Sequence, residues 1–107
     1  MWHILDENKN VVPADDATMF NRTDRKVGDT IQGNYHISTV FLCIDHSYGV
    51  GEPLFFETMV FKRGSWRDLD MQRYSTYTQA VEGHKAMCKK WNFWRRQAET
   101  INSFITR

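Results

Sequence analysis

The stretch His36–Phe61, HISTVFLCIDHSYGVGEPLFFETMVF, decides the fold of this chain. Two runs rich in β-branched and aromatic residues, 37–44 and 54–61, flank a polar, glycine-bearing segment from Asp45 to Pro53. That arrangement specifies two neighbouring strands joined by a short loop. In the first run Tyr35, Ile37, Thr39, Phe41 and Cys43 alternate with His36, Ser38, Val40, Leu42 and Ile44, the period of two that a strand requires. From Val40 both faces are apolar, which predicts a central strand covered on both sides toward its end. The second run alternates likewise, and Glu57 is the one charge inside it.

Working outward, Lys62-Arg63-Gly64-Ser65 reads as a turn and Leu69–Tyr74 as a third strand. Elements adjacent in sequence usually pair, so the three strands form an antiparallel meander. In that register Arg73 stands across from Glu57, which supplies a partner for a carboxylate that would be expensive to bury alone. Toward the N-terminus, Met1–Leu5 and Val11-Val12-Pro13 read as a hairpin around the polar turn 6–10. Asp15 or Asp16 is placed to cap a short helix ending at Phe20. The polar segment NRTDRKVGDTIQGN, 21–34, reads as a loop with at most a short strand at Thr30–Gln32.

On the C-terminal side, Thr76-x-x-Gln79 matches a capping box. From there Ala80, His84, Met87, Trp91, Trp94, Ala98, Ile101 and Ile105 recur at a 4-3 spacing, the stripe of one long amphipathic helix over 76–106. Such a helix is about 45 Å long, whereas a compact chain of this size has a radius of gyration near ~13 Å. Either the helix breaks near Asn92 or its last third projects, and a projecting apolar stripe needs a cover. A homo-oligomer with Trp91, Trp94, Ile101 and Ile105 in the interface is therefore expected. The predicted architecture is one α+β domain over 1–107, a three-stranded antiparallel meander plus an N-terminal hairpin packed against a long C-terminal helix.

Composition narrows the function. Fifteen aromatics among 107 residues supply a core for a single small domain. No run of 18 apolar residues exists, so no membrane-spanning segment is expected, and MWHILDENKN lacks the basic and apolar regions of a secretory signal. Cys43 and Cys88 have no CxxC or Cys/His context and read as reduced, buried thiols. The net charge of +1 hides a split: residues 1–83 carry eight basic and twelve acidic side chains (−4), and residues 84–107 carry six and one (+5). The segment Lys85–Arg96 interleaves cations with aromatics, which is how single-stranded nucleic acid is gripped, but a buried seam with a solvated basic flank explains it equally.

The sharpest chemical constellation is Asp45-His46 with Glu57 nearby. A carboxylate beside an imidazole can orient it as a general base, and the three together have the donor types of a divalent-metal site. Neighbours along a strand point to opposite faces, so the competing reading is an aspartate that caps loop amides and a histidine that stacks on Tyr48. His84, on the helical stripe, reads as a satisfied core or interface histidine. No phosphate loop, nucleophile elbow, dinucleotide fingerprint or metal-ligand spacing occurs, so no cofactor and no metal is expected. Tyr48-Gly49-Val50-Gly51 reads as a flexible loop on rigid strands, a common seat of recognition. Asp45, His46, Tyr48 and Glu52 are its candidate ligand-binding residues.

Ser38-Thr39-Val40-Phe41-Leu42, Asp45-His46, Leu54–Phe61, Arg73-Tyr74-Ser75-Thr76 and Glu82-Gly83-His84 together resemble a group of small tailed-bacteriophage proteins. The likeness covers about half the chain, with a weaker match at Val11–Ala14, and departs at Cys43, where the group has glycine, and at Tyr77, where it has tryptophan. The group carries no assigned activity, so no catalytic residue follows from it. The resemblance implies a phage accessory protein in the infected bacterial cytoplasm, acting stoichiometrically on a host defence protein or a small signalling ligand. The alternatives are a small hydrolase or metal-dependent enzyme using Asp45, His46 and Glu57, and a nucleic-acid binder using the basic helix.

Overall fold

A computed structural model describes residues 1–15 and 25–105, with side chains through residue 92. Strands β1 (Trp2–Leu5) and β2 (Val11–Ala14) form an antiparallel hairpin. Strands β3 (Lys26–Gln32), β4 (Tyr35–Phe41), β5 (Phe56–Lys62) and β6 (Asp68–Tyr74) form a second antiparallel sheet in sequence order, and helix α1 (Tyr77–Ile105) follows. The architecture is thus α+β: two antiparallel sheets packed with one C-terminal helix. The hairpin joins the larger sheet through the His3 amide, which donates to the Cys43 carbonyl at 2.8 Å.

The main sheet has four strands, not three. The added strand, β3, was legible only as a loop with a short strand at Thr30–Gln32, because the residues it turns toward the helix are Gly28, Thr30 and Gln32 rather than apolar ones. Thr30 and Gln32 satisfy themselves on α1 instead, Gln32 donating to the Cys88 carbonyl at 2.6 Å. The short helix expected to end at Phe20 falls at 16–24, outside the described residues.

Helix α1 covers only one face of the sheet. Ile37, Thr39 and Phe41 of β4 and Phe56, Thr58 and Val60 of β5 are buried beneath it, and each buried large apolar side chain contributes ~1.5–3 kcal/mol. The second cover expected over the later half of β4 is absent among the described residues: Val40 and Leu42 are half-buried and Ile44 is exposed. The outer face is made tolerable to water by ion pairs. Arg73 Nε donates to Glu57 Oε2 at 2.9 Å in the expected register, and His36 pairs with Asp29.

The capping box at Thr76 forms as the sequence predicts, with Thr76 Oγ1 accepting from the Gln79 amide and Gln79 Oε1 accepting from the Thr76 amide, both at 3.1 Å. The backbone then stays helical to Ile105 with no break at Asn92, and the molecule is 60 Å long against 28 and 24 Å across. Ala80, His84, Met87 and Trp91, the first half of the stripe, face the sheet. Trp91 stacks edge-on against Tyr35 and donates to Asp70 at 3.1 Å, so this expected interface residue is already half-buried within its own chain. The side chains of Trp94, Ile101 and Ile105 lie outside the described residues.

Cys43, just past β4, is buried and has a φ of 66°. This left-handed conformation costs a non-glycine residue about 1–2 kcal/mol. Cys43→Gly is expected to leave stability within about 1 kcal/mol, relief of strain offsetting the lost thiol packing. Cys43→Val, branched at Cβ, is expected to cost about 2 kcal/mol or more. Urea denaturation of the two variants checks the order, and equal losses would refute it.

Candidate functional site: the β4–β5 loop and its support

The ladder between β4 and β5 continues past the strands, with the Leu42 amide donating to Phe55 and the His46 amide to Leu54. Between those ends the chain must turn in the segment 45–53, and Asp45 holds the turn shut. Its Oδ1 accepts from the Ser47 and Leu54 amides, each at 2.8 Å, and its Oδ2 accepts from the Ser47 hydroxyl at 2.9 Å. The Leu54 and Ser47 amides hold the Asp45 carboxyl below its ordinary pKa, against a smaller opposing effect of desolvation. Tyr48, Gly49 and Gly51 have φ of 55°, 78° and 75°, so the loop folds through successive left-handed residues. At the tip, Tyr48 is 85% and Val50 80% exposed, although both side chains are largely apolar.

Asp45 therefore serves as the loop cap that the sequence allowed, with its oxygens engaged by two loop amides and the Ser47 hydroxyl. His46 Nδ1 lies 2.8 Å from the Ile44 carbonyl, which assigns its proton to that nitrogen. Its ring makes no stacking contact with Tyr48 among the described residues, contrary to that expectation. Glu57 is not brought to them: it lies three residues beyond Leu54, about 10 Å along the strand, and is paired with Arg73. No group of three or more His, Cys, Asp or Glu among the described residues could hold a metal ion. Glu52 is exposed beside the tip.

Asp45→Ala is expected to leave the fold in place while the Ser47 and Leu54 amides lose protection from hydrogen exchange. Unchanged exchange at both amides would show that the cap does not hold the loop.

A second arrangement, barely legible in the amino-acid order, is a chain of polar groups buried between sheet and helix. His84 of α1 reaches Thr30 Oγ1 with Nε2 at 2.9 Å and Thr39 Oγ1 with Nδ1 at 2.7 Å. Thr39 Oγ1 is 2.5 Å from Thr58 Oγ1, and Thr58 in turn bonds the Tyr74 phenol. Two glycines make the room. A Cβ at Gly28 would come within 2.8 Å of the His84 ring, and one at Gly83 within 2.2 Å of the Tyr74 ring. Burial lowers the His84 pKa, with the Asp29 charge opposing, and burial raises that of Tyr74. The only signal of these contacts was His84 on the apolar stripe, since its partners lie 54 and 45 residues away. Every member has a partner, and this network reads as support for the sheet–helix contact rather than as a reaction centre.

Beside it, Asp70, Gln72, Tyr74, Gly83, Met87 and Lys90 line an open groove of about 320 Å³ along β6. Asp70 there accepts from Lys90 at 2.6 Å, and no helix among the described residues is long and apolar enough to cross a membrane. No family model matches the chain, and no curated protein or solved structure matches it either.

Proposed function

We propose that this chain acts by binding rather than by catalysis, as a bacteriophage accessory protein that engages a host defence protein stoichiometrically in the infected bacterial cytoplasm. The observation that carries the reading is the exposed pair Tyr48 and Val50 on a loop whose base is closed by Asp45. A non-glycine residue held at positive φ stores strain, as Tyr48 does, and such strain collects at recognition sites. A tyrosine offered on a preorganised loop is also a common anchor of protein interfaces. His46 and Glu52 flank the anchor. A small signalling ligand is less well served, because Tyr48 and Val50 stand out at 85% and 80% exposure and the Asp45 and Ser47 side chains are already engaged within the loop.

The enzyme reading lacks a convergent set of groups, since Asp45 is spent on amides and Glu57 on Arg73. The continuous helix to Ile105, together with the unbroken spacing of Trp94, Ile101 and Ile105, supports a homo-oligomer that uses the last part of α1. Light scattering on the purified chain tests this, and a monomer at micromolar concentration would sink it.

The binding reading is tested by affinity capture from infected cells. Tyr48→Ala and Val50→Asp are expected to lose the captured protein by about tenfold or more, one hot-spot anchor being worth at least ~1.4 kcal/mol. Both side chains are exposed, so the melting temperature should hold. Full capture by both variants would remove the loop from the site.

A further inference from the structure

Three aromatic rings gather at the end of the main sheet opposite the 45–53 loop. His36 of β4 and Phe61 of β5 have centroids 6.2 Å apart on the face that α1 does not cover. Trp66, on the β5–β6 connection, meets Phe61 edge-on at 6.1 Å and is 91% exposed. Together with Lys62, Gly64 and Ser65 they line a cleft of about 220 Å³. That volume is below the ~300–1,000 Å³ of pockets for drug-sized ligands and suits a single planar ring system.

Cations outnumber acids around the cleft. Lys62, Arg63 and Arg67 flank it, and none of the three has an ion pair among the described residues. The nearest acids are Asp68, which faces Phe61 in the ladder, and Asp29, which is engaged by His36 and Lys26. Cores of protein interfaces are depleted of charge. An exposed indole face rimmed by unpaired cations matches instead a ligand with flat bases and a phosphate backbone.

We infer that this end of the sheet binds single-stranded nucleic acid, a base stacking on Trp66 beside Phe61 and His36 while Lys62, Arg63 and Arg67 meet the phosphates. Open four-stranded sheets can present aromatics to unpaired bases in this way. The site is separate from the 45–53 loop and stands or falls independently of it. It also differs from the basic helix, whose Lys90 is held by Asp70.

Fluorescence anisotropy of a labelled oligothymidylate of about 12 nucleotides, titrated with the full chain, tests the inference. The wild type is expected to bind in the micromolar range and to weaken about 20-fold between about 50 and 200 mM salt, the slope for three phosphate contacts on a single strand. Trp66→Ala should lose about tenfold, one stacked base, and Trp66→Phe should keep most of the affinity. Replacing Lys62, Arg63 and Arg67 by glutamine should remove most of the salt dependence, whereas Lys85→Gln with Lys89→Gln should change nothing. Absence of binding, equal affinity of the Trp66→Ala variant, or equal affinity for a duplex of the same length would overturn the assignment. Loss caused by the helix pair would also overturn it, as would a Trp66→Ala effect confined to self-association seen by light scattering.

Discussion

Replacing His84 by alanine is expected to cost about 2–3 kcal/mol of folding stability, a large share for a domain of this size. Two effects combine. The lost ring leaves a space under Gly28 that the sheet cannot fill, and the hydroxyls of Thr30 and Thr39 lose their imidazole partner while still shielded from water. Thr39→Val keeps the volume but deletes the hydroxyl shared by His84 and Thr58, and about 2 kcal/mol should be lost. The double variant should lose less than the sum, because the two changes break one chain of hydrogen bonds. Urea denaturation of the three variants measures this, and strict additivity would show that the groups do not act together.

The same histidine should give the protein a sensitivity to mild acid. Its pKa in the folded chain lies below the ordinary value of 6.5, mainly through burial. As pH falls through 6.5 the unfolded chain takes up the proton first, so stability declines until the folded pKa is reached. The carboxyls of Asp6, Asp29, Asp45 and Asp70 are lowered from 3.8, so their contribution is present above that value and is lost only as pH falls further. A decline between pH 7 and 5 that is absent in His84→Gln is the expected signature. An equal decline in that variant would assign it elsewhere.

The second large effect is a change of sign at Gly83. In an exposed helix interior, glycine to alanine stabilises by about 1 kcal/mol. Here the new Cβ would stand 2.2 Å from the Tyr74 ring, so the ring must leave its place and give up its bond to Thr58. Gly83→Ala is therefore expected to destabilise the wild type by about 2 kcal/mol. In a Tyr74→Ala background the obstacle is gone, and the same substitution should stabilise by about 1 kcal/mol. A stabilising Gly83→Ala in the wild type would disprove the close approach of helix and β6.

Both effects arise from contacts between the helix and the sheet, which no local pattern encodes. The strands β4, β5 and β6, the capping box at Thr76 and the pairing of Glu57 with Arg73 were legible, because each is written in a local period or in the register of adjacent strands. Asp45 as a loop cap was legible for the same reason, since its partners lie two and nine residues away. Strand β3 beyond Thr30–Gln32 was not, because its inward side chains are polar and gain a reason to face inward only when α1 arrives. Nor was the exposed trio of His36, Phe61 and Trp66, whose rings read as ordinary core material.

By itself, then, the amino-acid order determined an α+β domain with a hairpin, a central meander and a long capped helix, since apolar periodicity and turn chemistry act over a few residues. Only the tertiary structure decided that a fourth strand joins the sheet and that α1 covers only one of its faces. It also decided that His84, three threonines and Tyr74 form one chain of hydrogen bonds around two glycines. Those outcomes depend on which groups meet across 45 residues or more, where a polar side chain becomes favourable to bury only once its partner is in place.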